Sequence, residues 1–168
     1  LGILSELKLQ KLNNNSMHLL TPKALLRFAP GSMRKETDGS RLDSSSAFNV
    51  NRLDNENNFE TGLTGTFGFD YKIETKNEKE FDFSIAQIIS EKENKKMASI
   101  TSLDEKLSDL VGSTSIKLNK NFSLNYNFSL DQNYSELNYN DIGTSINFGP
   151  SKVDFSYLQE QKHIGDQE

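Results

Sequence analysis

The chain has 168 residues, with 24 Asp and Glu against 19 Lys and Arg and a formal net charge of −5. That length suits a single domain, and the mildly acidic balance argues against nucleic-acid binding, which needs a clustered excess of Lys and Arg to neutralise phosphates. Cysteine is absent and the histidines are only two, His18 and His163, so disulfides, cysteine zinc sites and thiol catalysis are excluded and a histidine-rich metal site is disfavoured. Leu, Ile, Val and Phe make up about a quarter of the residues, above the level of disordered chains. No run of 18 apolar residues exists, so a transmembrane helix is not expected. A transmembrane β-strand is still open, since it needs about 9–11 residues and every second one can be polar. The opening Leu1-Gly2-Ile3-Leu4 has neither an initiator Met nor a signal-peptide pattern, and reads as the inside of a longer chain.

The expected elements are strands. Residues 3–11 alternate loosely, and residues 22–29 are apolar on both faces at Leu25-Leu26. Residues 60–71 set Leu63, Phe67, Phe69 and Tyr71 against Thr64, Thr66, Gly68 and Asp70. Residues 81–89 set Phe81, Phe83, Ile85 and Ile89 against Asp82, Ser84 and Ala86. Residues 99–110 are the nearest helical candidate, with Ser102 or Asp104 as a cap. Residues 110–118 alternate Leu110, Thr114, Ile116 and Leu118 with Val111, Ser113, Ser115 and Lys117. The clearest case is 122–131, where Phe122, Leu124, Tyr126, Phe128 and Leu130 take every second place and polar residues take the rest. A helix cannot use that period. Residues 136–148 change phase from Leu137 and Tyr139 to Ile142, Ile146 and Phe148, which one extra residue near 141–143, a β-bulge, would explain. Residues 153–159 alternate again. The prediction is an all-β chain: an antiparallel up-and-down meander of about eight strands.

The links between these strands run 12–21 (moderate), 30–59 (long), 72–80 (short) and 90–109 (long). After them come 119–121, 132–135 and 149–152, all short. In a meander the links alternate between two ends, so both long ones share an end. Outer-membrane barrels show this asymmetry, with long extracellular loops and short periplasmic turns. Tyr71, Phe81, Phe122 and Phe148 then fall on the apolar face at the short-turn end, where a membrane interface selects aromatics. A soluble β-sandwich or a small self-contained barrel, serving as a binding or adhesion module, accounts for the alternation equally well. It accounts less well for a polar face rich in Ser, Thr, Asn and Gly and poor in Lys and Glu.

Sites are few. No phosphate-binding Gly-rich loop, nucleophile elbow or His/Asp pairing is present, so neither enzyme activity nor a cofactor is expected. Residues 54–58 are acidic but lack the Gly and bidentate Glu of a calcium loop. Lys117 is the clear cation on the polar face. Arg34, Lys35, Arg41 and Arg52 lie in the long link and could pair with phosphate, which guanidinium binds bidentately. The stronger expectation is that they hold the loop together against Asp38, Asp43, Asp54 and Glu56.

Several strings then point to a family. Leu20-Thr-Pro-Lys23, with Arg27, Phe28 and Pro30 following, resembles an "LTPK-x-x-x-R-[FY]-x-P" segment of the LPS-assembly outer-membrane protein family (LptD, also called organic-solvent-tolerance protein). Further pieces occur in that family's order: Arg41-Leu-Asp43, Phe48-Asn-Val-Asn-Arg-Leu53, residues 60–71, Phe83-Ser-Ile-Ala-Gln-Ile88, Ser108-Asp-Leu-Val-Gly112, Phe128-Ser-Leu-Asp131, Leu137-Asn-Tyr-Asn140, Phe155-Ser-Tyr-Leu-Gln-Glu160 and His163-Ile-Gly165. The likeness covers nearly the whole chain and is greatest to alphaproteobacterial members. It implies that 1–168 is a segment of a large transmembrane β-barrel in the outer membrane of a Gram-negative bacterium. Loops 30–59 and 90–109 would be extracellular, and the periplasmic domain and barrel seam would be absent. It also implies a non-enzymatic role in the translocon that inserts lipopolysaccharide into the outer leaflet. The partners implied are lipopolysaccharide, outer-membrane lipid, the lipoprotein plug LptE and the periplasmic LPS-transport bridge, with head-group contacts at Arg34, Lys35, Arg41, Arg52 and Lys117.

Overall fold

The computed structural model describes residues 1–37, 39–53 and 57–161. Its strands are β1 (Gly2–Glu6), β2 (Leu9–Leu12), β3 (Ser16–Ala29), β4 (Gly62–Thr75), β5 (Glu80–Ser90), β6 (Leu110–Asn119), β7 (Phe122–Leu130), β8 (Leu137–Phe148) and β9 (Ser151–Glu160). All belong to one antiparallel sheet whose order follows the chain, with β1 and β2 both paired to β3. Those two are halves of one strand, because they keep a single register on β3, from Gly2 opposite Arg27 to Leu12 opposite Met17. The gap between them has a cause. Leu7 donates its N–H to the Pro22 carbonyl at 3.1 Å, and proline has no N–H to return across the ladder. The eight strands expected are therefore present as eight positions in the sheet. Among the described residues β1 and β9 do not pair, so the sheet is open.

Three local expectations need correction. β3 begins at Ser16, so the link expected at 12–21 is only residues 13–15. Residues 99–110 hold no α-helix but one 3-10 turn, Ser99–Thr101; Ser102 takes a left-handed conformation (φ 56°) that ends it and caps no helix start. The bulge lies earlier than 141–143. Ser129 pairs with Tyr139 and Leu130 with Leu137, which leaves Asn138 as the extra residue. The buried carboxylate of Asp109 explains the position, since it accepts hydrogen bonds from both Asn138 Nδ2 (2.7 Å) and Ser129 Oγ (2.8 Å) and draws Asn138 to Ser129's side of the sheet.

With these boundaries the links sort cleanly. Residues 13–15, 76–79, 120–121 and 149–150 turn at one end, and residues 30–61, 91–109 and 131–136 at the other. Register also sorts the side chains into two faces. One face carries the large apolar residues and is bare: Leu26, Phe67, Phe148, Val153 and Phe155 are each more than half exposed. Neighbouring rings touch along it, Phe69 with Phe83 at 5.8 Å, Tyr71 with Phe81 at 6.4 Å and Tyr126 with Phe128 at 5.6 Å between centroids. Phe128 also lies over its cross-strand partner Gly112, filling the space where a Cβ would come within 2.4 Å of the ring.

The opposite face is small and polar, and the long links fold back onto it. Met33, Leu42, Ala47 and Leu53 from residues 30–61 and Met97 and Leu103 from residues 91–109 pack on Ala86, Ile88 and Val111 of the sheet. The two links also hold each other. Glu36 donates its N–H to the Lys96 carbonyl at 2.8 Å, and Lys96 Nζ donates to the Met33 carbonyl at 2.9 Å. They form a cap at one end of the polar face.

Candidate functional site

The cap rests on the wall through a strap, residues 41–52, that crosses the strands. Its near end is an ion cluster. Arg52 grips Glu60 bidentately, Nε to Oε2 and Nη2 to Oε1, both 2.8 Å, and Nη2 also donates to Thr64 Oγ1 at 2.8 Å. Arg27 of β3 approaches from the other side. Its Nε donates to the Val50 carbonyl at 2.6 Å, its Nη2 donates to the Glu60 carbonyl, and its Nη1 lies 3.6 Å from Glu60 Oε1. All three side chains are buried. Burial pushes the Arg52 guanidinium pKa down, and the facing Glu60 carboxylate opposes that shift.

Beyond this cluster the strap touches successive strands. Thr66 Oγ1 of β4 donates to the Ala47 carbonyl at 3.1 Å. Lys23 of β3, paired with Asp70 at 2.5 Å, sits 5.5 Å from the Phe48 ring centroid. Ser44 and Ser113 of β6 meet hydroxyl to hydroxyl at 2.9 Å. Between these contacts Asp43 makes a tight knuckle: its Oδ1 accepts the Ser45 N–H (2.7 Å), the Ser45 hydroxyl (2.7 Å) and the Ser46 N–H (2.8 Å). Burial pushes the Asp43 carboxyl up, but the hydrogen bonds from Ser46 and Ser45 outweigh it and hold the pKa below the usual value. At the far end Arg41 stacks over Tyr139 of β8 (5.3 Å) and donates Nε and Nη2 to one oxygen of Glu160 in β9, at 3.0 and 2.7 Å.

The expected site residues thus divide. Arg41 and Arg52 are in the strap, but their partners are Glu160 and Glu60, neither among the acids expected. Asp43 spends its carboxylate on its own turn. Asp38, Asp54 and Glu56 lie outside the described residues, as does most of the acidic run 54–58; its last member, Asn58, clasps the Arg34 backbone with bonds of 3.1 and 3.0 Å. Arg34 and Lys35 are exposed and form no ion pair among the described residues. Lys117 is on the polar face but near the short-turn end, 3.1 Å from Glu80. It does not stand alone there, since Lys23 and Arg27 share the face. Arg27 belongs to the cluster but was not among the expected site residues. Its signal was phase: Thr21, Lys23 and Arg27 occupy alternate positions of β3, masked by the apolar pair Leu25-Leu26.

Two cavities bound the strap and the exposed wall. One of about 450 Å³ lies between Arg41, Asp43 and Ser44 above and Ser113, Asn127 and Tyr139 below. Another of about 440 Å³ opens towards the short turns and is lined by Asp82, Ser84, Ser115, Asn125 and Asp141. Among the described residues no three metal-ligating side chains cluster.

An open meander that is apolar on its bare face and polar on the other, with every long link at one end and the longest folded over the polar side, is a piece of β-barrel wall. The chain belongs to the LptD family, LPS transport system D, whose sequence model matches residues 5–168. That family acts in lipopolysaccharide transport and assembly at the outer membrane of Gram-negative bacteria. A search of curated proteins found no match.

The ion cluster makes a prediction. Glu60→Gln keeps the shape but leaves two buried guanidinium charges without a counter-charge, a change that costs about 3–5 kcal/mol. Urea unfolding of the barrel should show that loss, together with faster proteolysis within residues 30–61. A shift under about 1 kcal/mol would mean that the cluster does not hold the strap.

Proposed function

We propose that this chain forms part of the wall of the translocon that inserts lipopolysaccharide into the outer leaflet of the outer membrane. The observation that carries this reading is the division of the sheet into a bare apolar face and a polar face overlaid by its own long loops. In lipid the bare face needs no cover, because acyl chains solvate it. A soluble sandwich would instead bury such a face against a second sheet, whereas among the described residues all nine strands belong to one.

On this reading the whole of 1–168 lies in the barrel domain, loops 30–61 and 91–109 face the cell exterior, and the short turns face the periplasm. The Ser, Thr and Asn side chains of the polar face line the lumen and offer hydrogen bonds to the sugar head of the lipid. LptE and the periplasmic bridge, the partners that the family resemblance implies, complete the machine. Of the five cations proposed for phosphate contact, Arg41, Arg52 and Lys117 already hold carboxylates. The exposed Arg34 and Lys35 at the cap surface are the pair left to meet phosphate.

Two experiments test this reading. An Arg in place of Leu124 or Tyr126, mid-strand on the apolar face, should cost about 2–4 kcal/mol if those sites lie at the bilayer midplane, and should lower lipopolysaccharide at the cell surface. Arg in place of Asn125 or Asn127 should do neither; equal tolerance at the two sets would contradict the topology. Cysteines placed at Asn57 and Asn77 report orientation: an impermeant thiol reagent on intact cells should label the first only. Labelling of the second alone would invert the barrel.

A further inference from the structure

The strap is held unequally at its two ends. Its near end is a buried cluster in which one carboxylate serves two guanidinium groups and the bonds are bidentate. At the far end both Arg41 nitrogens share a single Glu160 oxygen, and the two side chains keep 14% and 17% exposure against 1–4% at the near end. Packing differs too. Arg41 alone borders three cavities, of about 450, 270 and 190 Å³, whereas at the near end Arg52 borders only the last of these and Glu60 one of about 350 Å³. Motion is cheapest where few atoms are in contact, since voids forfeit dispersion on one side and leave room for a second arrangement.

From this we infer that residues 40–46 are a latch: they lift from the wall about the fixed Arg27–Glu60–Arg52 end. Lifting breaks the Arg41–Glu160 pair, the Arg41–Gln161 and Ser44–Ser113 hydrogen bonds and the Arg41–Tyr139 ring contact, and withdraws one buried apolar side chain, Leu42. Thr66 still holds Ala47, and the rest of the cap core remains on Ala86, Ile88 and Val111. The movement joins the cavities on either side of Arg41 into one opening between the cap and β8–β9. An ion pair that keeps some contact with water is held less tightly than a fully buried one, so the latch is closed at rest and opens without unfolding the cap.

The protein in its full barrel allows two tests. The first does not depend on the cargo. Ser113→Cys places a thiol under the latch, and its labelling by a bulky maleimide reads the open fraction. Adding Glu160→Gln should speed labelling about five-fold, and the charge swap of Arg41→Glu with Glu160→Arg should return the rate towards that of Ser113→Cys alone. Equal rates in all three backgrounds overturn the latch. The second rests on the lipopolysaccharide reading. Because the two hydroxyl oxygens are 2.9 Å apart, Ser44→Cys with Ser113→Cys can form a disulfide that pins the strap to β6. Oxidised cells should deliver markedly less lipopolysaccharide to the surface, and a reductant should restore delivery. Unchanged delivery with the disulfide formed makes the strap a fixed partition and overturns the proposal. Should depletion of the native protein leave surface lipopolysaccharide unaltered, the transport reading fails instead, and the labelling rates still decide the latch.

Discussion

Glu60 joins three parts of the chain that are far apart in sequence: Arg27 in β3, Arg52 in the long link and its own place just ahead of β4. A buried carboxylate between two guanidinium groups is not a large net source of stability, because desolvating the charges consumes most of their attraction. Its effect is directional. With any one member missing the others are stranded away from water, so alternative paths for the link are strongly disfavoured. The link returns inward because its two ends share this cluster.

That inward path solves a second problem. Closing a link of this length costs about 3 kcal/mol plus a constant, and a polar wall offers little to pay against it. The cap supplies its own apolar core, and burial of a side chain such as Leu or Met stabilises by about 1.5–3 kcal/mol. Met33, Leu42, Leu53, Met97 and Leu103 concentrate that burial where the polar face of the wall carries Ala86, Ile88 and Val111. Further towards the short turns the wall reverts to Asp, Ser and Asn and borders an open cavity. The same sheet is therefore a packing surface at one end and an open polar surface at the other.

Legibility in the sequence followed the range of the interaction. Period-two alternation is local, so strands β4 to β7 and β9 and their faces could be read directly, as could the segregation of long links to one end; in β8 Tyr139 was expected on the face of Leu137 but lies opposite Ser129 on the polar one. β3 was harder because Leu25 and Leu26 are adjacent: Leu25 is buried under the cap and Leu26 is exposed on the apolar face, a division that only the completed cap creates. The bulge was legible as a phase change but not its position, which the carboxylate of Asp109, 29 residues away from Asn138, decides. Arg41 and Arg52 were picked out by charge, yet their partners were not: Glu160 lies 119 residues from Arg41, and no spacing rule reaches that far. The family was legible because its strings are contiguous.

The central claim is that one sheet separates lipid from a polar lumen residue by residue. Nitroxide labels placed singly along residues 122–130, in the protein within a bilayer, measure it most directly. Collision with oxygen, which dissolves in lipid, should peak at Phe122, Leu124, Tyr126 and Phe128, and collision with a polar nickel chelate should peak at Ser123, Asn125 and Asn127. Profiles that run in phase, or that show no period of two, would contradict the assignment of the two faces.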